Sequence, residues 1–373
     1  MPRGVSPNPP SGFINPQASM SEKSIVGVFA FMGLVYIGLQ FTILGEPKFR
    51  WADSWQENWD IYPPARRVWN IPEDKLDELN DAIGDLDPQS RYGRIHKLEV
   101  PRSTQSFQHE LKLAIDGLPQ EVKEILREHL VGVHVVGNLS MPGMPYISGL
   151  AIPQSGTFRG NDGTTSVLVD RLYSDTGMLE RGITMGLRLK SANQRYVVIP
   201  KIAKKGEKER FVMLQYLLLH EFGHVVDNSK SFVSDADVLP IDDPEACGFA
   251  CYSWKTQTTP RGDGRIADVV LALRNGEFRK MLEAAPDLMN TIKQSNFESL
   301  YSTSGPGEDF AEAFATYVHT IIMGRPWRLS LYVDGKKTDE MISCHLDGRC
   351  PQKTAFFDTL FNRRSGPGIA KRP

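Results

Sequence analysis

The sequence predicts an α+β domain preceded by one N-terminal transmembrane helix, and three observations carry that expectation. Ser24 to Leu44 (SIVGVFAFMGLVYIGLQFTIL) contains no charged residue. Val131 to Val136, Ser166 to Val169 and Arg195 to Ile199 are short and rich in β-branched residues, as strands are. Glu207 to Val226 and Glu308 to Met323 are long, largely apolar and bounded by helix signals.

Taken in order, residues 1–23 are rich in Pro, Ser, Asn and Gly and are expected to form a disordered tail. The run 24–44 follows. A helix rises about 1.5 Å per residue, so this length reaches roughly 30 Å, the depth of a bilayer core. A cleaved signal peptide is the rival, but Thr42 to Pro47 makes a poor cleavage site. Lys23 on one flank and Lys48 and Arg50 on the other do not set an orientation. The expectation is a single-pass membrane protein that touches the lipid bilayer through 24–44, its large C-terminal part extracytoplasmic. Residues 45–100 read as a juxtamembrane linker, in which Trp51, Trp55 and Trp59 form an interfacial belt or pack on the folded part. The main domain is placed at 101–364, with a flexible tail at 365–373.

Within that domain, Phe107 to Leu130 reads as helix with a break near Pro119, and Ala267 to Ile292 as helix broken at Gly276 and Pro286. Glu308 to Met323 is opened by Pro306 and closed by Gly324 and Pro326. A net charge of −2 gives no basic field, which excludes nucleic acid as a partner. Cys247, Cys251, Cys344 and Cys350 fit two disulfides in an oxidising compartment, and all three pairings stay open. Their C-x3-C and C-x5-C spacings are looser than the usual zinc knuckle.

The chemistry concentrates in LLLHEFGHVVD, Leu217 to Asp227. His220 and His224 lie one turn apart on one helical face, so both imidazoles can reach one metal ion. Glu221 stands beside the first and can take a proton from a water that zinc has acidified. Gly223 costs a helix about 1 kcal/mol relative to Ala, which the close approach of another backbone or a substrate would justify. A third ligand is required. PGEDFAEAFAT, Pro306 to Thr316, places Glu308 and Glu312 on one apolar helix face. A first-turn acid is favoured by the helix dipole, which accounts for Glu308 and Asp309 but not for Glu312. One carboxylate is read as a ligand, the other as the acceptor that orients a ligand histidine.

HEFGHVVD, the later EDFAEAF and Tyr301, seven residues ahead of Glu308, resemble the catalytic core of anthrax lethal factor and the Pro-Pro endopeptidases. The resemblance spans Arg195 to Met323 and implies a zincin-like metallopeptidase domain, with a small mixed sheet above an active-site helix. It implies zinc on His220, His224 and Glu308, Glu221 as general base, Glu312 behind a ligand histidine, and Tyr301 as donor to the oxyanion. The implied activity is endopeptidase hydrolysis of a protein or peptide substrate. Arg195 to Ile199 or Ser166 to Val169 is the expected edge strand for an extended substrate. The chain departs from the family in the long stretch 228–300, which reads as a lid, a specificity element or an inhibitory flap. Two alternatives remain: a non-catalytic envelope binding or scaffold protein on this fold, and a zinc hydrolase of a non-protein amide. Asp227 is either a support for the site or a plain helix-end acid. Arg261-Gly262-Asp263 reads as a turn, and His134 and His345 as histidines without a ligand role.

Overall fold

The computed structural model describes residues 59–71, 98–101, 104–139, 149–153, 165–170, 196–233, 248–274 except 257 and 263, and 285–363, with isolated positions between 73 and 80. It is α+β with two small sheets rather than one. The first has the order β1 (Val68–Asn70), β2 (Leu130–Val136), β4 (Thr165–Asp170), β3 (Gly149–Pro153). β1, β2 and β4 run parallel, and β3 closes the edge antiparallel to β4. β2 (LVGVHVV) is buried along its whole length, as a strand that is apolar but for His134 and flanked on both sides in the sheet should be. Residues 68–70, assigned to the linker from sequence, thus belong to the domain's sheet.

Two helices, α1 (Gln105–Asp116) and α2 (Gln120–His129), precede β2, separated at Pro119 as expected. The second sheet is antiparallel, in the order β5 (Tyr196–Lys201), β6 (Arg328–Val333), β7 (Lys336–Ile342). Asp334 and Gly335 join β6 to β7 with φ of 51° and 79°. Two consecutive positive φ values are what a tight hairpin turn of this hand demands, and Asp-Gly supplies them at low cost.

Between β5 and β6 in sequence lie α3 (Glu209–Lys230), the longest helix among the described residues, α4 (Gly264–Arg274), α5 (Ala285–Lys293) and α6 (Pro306–Tyr317). A π-helical turn, Val318–Ile322, extends α6. Short α7 (Cys344–Asp347) and α8 (Pro351–Leu360) close the chain. α3 and α6 pack face to face through the core, with Phe222, Val225 and Val226 meeting Phe310, Ala313 and Phe314 in one apolar cluster. β3 and β4 lie against α3.

The membrane expectation is corrected. No helix among the described residues is long and apolar enough to cross a membrane. The physical reason shows in α3, which is long enough but carries Glu209, Arg210, His220, Glu221, His224, Asp227 and Lys230. The run 24–44 lies outside the described residues, so single-pass localisation with an extracytoplasmic domain has no support. Of the two candidate edge strands, β5 is an edge of the second sheet, as expected, whereas β4 is internal, between β2 and β3. Among the described residues, the edge strand beside α3 is β3.

Candidate metal centre

Gly223 decides how close the two site helices come. A Cβ at this position would lie 2.7 Å from the Ala311 Cα and 3.1 Å from its carbonyl oxygen. Backbone against backbone leaves nothing flexible to move aside, so only glycine fits this face of α3. The approach sets Glu308 of α6 opposite His220 and His224 of α3. Glu308 Oε2 stands 3.0 Å from His220 Nε2 and 3.5 Å from His224 Nε2. His220 and Glu308 are buried and His224 is half-buried, and together they form a group that can hold a metal ion.

The polar atoms here converge without pairing well. Glu308 Oε2 and His220 Nδ1 are buried and make no properly aligned hydrogen bond, although ion-pair partners stand near both. Buried polar atoms are normally satisfied, and several lone pairs aimed at one point is the arrangement a cation completes. The electrostatics agree. Burial alone would lower the His220 pKa, but contacts to Glu308 and Glu312 overcome this and hold it well above the usual histidine range. Burial would raise Glu308, but the His224 charge and the close contacts with both histidines hold it well below the usual carboxylate range.

Glu312 stands behind His220, its Oε1 3.2 Å from Nδ1. The Glu312 Oε2 accepts from the Tyr216 hydroxyl at 3.2 Å and from the Ser299 hydroxyl at 3.1 Å. Tyr216 in turn accepts from Trp327 Nε1 at 3.0 Å, and Trp327 is fully buried. Sequence reasoning missed this chain. Its one signal was periodic: Tyr216, His220 and His224 repeat every four residues along one face.

Tyr301 sits in a short 3₁₀ turn ahead of α6, its ring 5.4 Å from that of His220. Burial, then the charges of Glu308 and Glu221, push its phenol well above the ordinary range, so it stays a proton donor at neutral pH. Glu221 is buried on α3 next to the ligand pair.

Other residues singled out from sequence are structural. Asp309 forms a buried ion pair with Lys353 at 2.6 Å and accepts from Trp254 Nε1 at 3.3 Å, tying α6 to α8 and to the stretch after α3. Asp227 accepts from the Val233 amide at 2.8 Å and fixes the reversal after α3, where Ser231 adopts a φ of 51°. His134 is a core residue whose pKa burial pushes down to about 3. Arg261 donates to the Trp254 carbonyl at 3.0 Å, holding a turn. Of the stretch 228–300, Phe249, Trp254 and Phe297 are core, while 234–247 and 275–284 lie outside the described residues.

The cysteines bring a second group together. Cys344 and Cys350 are bridged, their Cα atoms 5.4 Å apart, and Cys251 is also disulfide-bonded. Around the bridge stand Glu298 and His345, and the four residues form a further buried group able to hold a metal ion. His345 had been set aside for want of a spacing partner, and the adjacent Cys344 was the signal. No protein-family model, no curated protein and no solved structure matches this chain.

Proposed function

We propose that the chain is a zinc-dependent endopeptidase whose ion is held by His220, His224 and Glu308. The observation that supports this most is the convergence of two imidazoles on one buried carboxylate oxygen, at 3.0 and 3.5 Å. Two imidazoles and one carboxylate are a donor set that catalytic zinc uses, with its fourth position taken by water. A bound zinc ion would supply Lewis acidity at a substrate carbonyl and acidify a water at neutral pH.

This chain's own residues would do the rest. Glu221, one position along α3 from His220, takes the proton of the attacking water and returns it to the leaving amine. Tyr301 keeps its phenolic proton and donates a hydrogen bond to the developing oxyanion. Glu312, anchored by Tyr216 and Ser299, fixes the His220 ring. Among the described residues β3 is an edge strand beside α3, a position that suits an extended peptide laid alongside as an added strand.

The test pairs metal content with peptide hydrolysis in the full-length chain and in Glu221→Gln. The expected outcome is about one zinc at this site in both proteins, and a loss of hydrolysis of about 10²- to 10⁴-fold in the variant. A zinc-loaded parent that cleaves no member of a broad peptide library removes the peptidase reading, and a parent that takes up no zinc removes the metal reading as well.

A further inference from the structure

A disulfide accounts for Cys344 and Cys350, but not for a carboxylate and an imidazole buried beside it. Glu298 is fully buried, as is Cys344, and His345 and Cys350 are 1% and 2% exposed. One ligand atom from each of the four lies within 4.8 Å of all the others. Cys344 Sγ stands 3.0 Å from Glu298 Oε1, yet a bridged sulfur has no hydrogen to donate. Cys350 Sγ stands 3.6 Å from His345 Nδ1.

We propose that these residues form a redox-gated metal site: once Cys344 and Cys350 are reduced, the two thiolates, His345 and Glu298 hold one zinc-class ion, and disulfide formation closes the site.

The surroundings fit a four-ligand centre. His345 Nε2 lies 3.1 Å from the Ala313 carbonyl and 3.1 Å from Glu298 Oε1, two acceptors that place the ring hydrogen on Nε2 and leave the Nδ1 lone pair facing Cys350. A ligand histidine that gives its other N–H to a carbonyl is the usual support for such a site. Thr354 has one hydroxyl hydrogen and two neighbours, Nδ1 at 2.8 Å and the Cys350 carbonyl at 3.0 Å. Turning that hydrogen to the carbonyl frees Nδ1. Two thiolates on one zinc sit ~3.8 Å apart, as bonds of about 2.3 Å at a tetrahedral angle require. Cα atoms 5.4 Å apart reach that separation by side-chain rotation. Two thiolates and a carboxylate would leave one negative charge around a divalent ion, and Arg349 and Lys353 supply positive potential at Glu298. Arg349 also donates to the carbonyls of Ile292, Ser295 and Phe297, which fastens the strand of chain leading into Glu298 to the cysteine segment.

The exchange balances. A dithiol reductant breaks the Cys344–Cys350 bond, becomes a disulfide itself, and leaves one proton on each cysteine sulfur. Metal uptake releases both protons to solvent, since thiolate is the ligating form. Closing transfers two electrons to an external disulfide and expels the ion.

The experiment uses the full-length chain, oxidised or reduced and then freed of reductant, loaded with zinc or with cobalt(II). Zinc and free thiols are counted per chain. The expected result is one more zinc on the reduced chain than on the oxidised one, with a thiolate-to-cobalt charge-transfer band. The Cys344→Ser/Cys350→Ser double variant, if folded by circular dichroism, loses both. Alkylation mapped by mass spectrometry on the unaltered chain decides the matter without a variant: zinc shields Cys344 and Cys350. Free thiols at these positions with no extra ion overturn the proposal and leave a structural staple. Extra zinc that shields only Cys247 and Cys251 overturns it equally. A Glu308→Ala chain separates the two sites, because it loses the ion at His220 and His224 and keeps the reduction-dependent one.

Discussion

In the first buried cluster, His220 stands between Glu308 and Glu312 and is held well above the ordinary histidine pKa, against the effect of burial. In the second, His345 lies 3.1 Å from Glu298, yet burial pushes it down to about 3 and pushes Glu298 up to about 7. The residue types are the same and the outcome is opposite. Two carboxylates face one imidazole in the first cluster, and charge separation survives desolvation. One carboxylate faces one imidazole in the second, with Lys353 and Arg349 lowering the imidazole further, and the pair is driven toward neutrality. The first cluster keeps its charges without a metal, so an ion bound there would displace the proton of His220. The second becomes anionic enough only when its sulfurs are thiolates.

The largest effect that separates the clusters is on metal binding. Glu308→Gln is expected to weaken zinc at the first site by well over the roughly 10- to 100-fold that loss of an outer hydrogen-bond partner costs. Glu298→Gln in the oxidised chain is expected to leave that affinity within about twofold, because Glu298 is not among the ligands and reaches the site through its neighbour Ser299 and through its charge on Glu312 and Tyr216. Competition against a zinc chelator measures both. Equal losses in the two variants would mean that the clusters form one electrostatic unit.

The next effect is on stability against pH. The Glu298 pKa rises from an ordinary value of 4.5 to about 7 in the folded state. Between these values the folded protein holds a proton that the unfolded chain has released, so stability falls as pH rises through the window. The ceiling is on the order of 3 kcal/mol. Urea unfolding of the oxidised, metal-free parent at about pH 5 and pH 7.5 should show this loss, and Glu298→Gln should remove most of it. Parallel curves for the two chains would show that Glu298 ionises normally.

Much of this was legible beforehand where local chemistry and periodicity agree. The spacing of His220 and His224, the paired acids of α6 and the break at Pro119 follow from short-range rules, and the structure brings the expected ligands together. Gly223 was read as needing a close neighbour, and Ala311 is that neighbour. The losses were long-range. β6 and β7 carry an Asp-Gly turn that the sequence displays, but their partner β5 is more than a hundred residues upstream. Glu298 is an ordinary glutamate in sequence, and only the chain fold sets it beside Cys344. The apolar run 24–44 obeyed a composition rule, yet no described helix has membrane-spanning character.

Gly223→Ala turns on the sign of an effect. On helix propensity alone it should stabilise α3 by about 1 kcal/mol. The Cβ would sit 2.7 Å from a backbone atom of α6, and overpacking of this kind costs about 1–3 kcal/mol. A net loss of about 1 kcal/mol is expected, together with weaker zinc at the first site and an unchanged reduction-dependent site. Thermal unfolding and metal titration read the two parts separately. A stabilised variant would show that α3 and α6 slide apart freely and that the spacing of the ligands does not depend on this contact.

The smallest effect tests the support behind His220. Glu312→Gln keeps the side-chain shape, but the amide has one oxygen to serve His220, Tyr216 and Ser299, where the carboxylate uses both of its own. Zinc affinity at the first site should fall about tenfold while stoichiometry stays unchanged, since all three ligands remain. Tyr216→Phe removes one donor to Glu312 and leaves the carboxylate in place, so its effect should be smaller and in the same direction. That ranking distinguishes orientation from charge. If Tyr216→Phe matches Glu312→Gln, the hydrogen-bonded chain from Trp327 sets the ring of His220. If only the Gln variant weakens zinc, the negative charge of Glu312 does the work, and the chain behind it serves to pack α3 against α6.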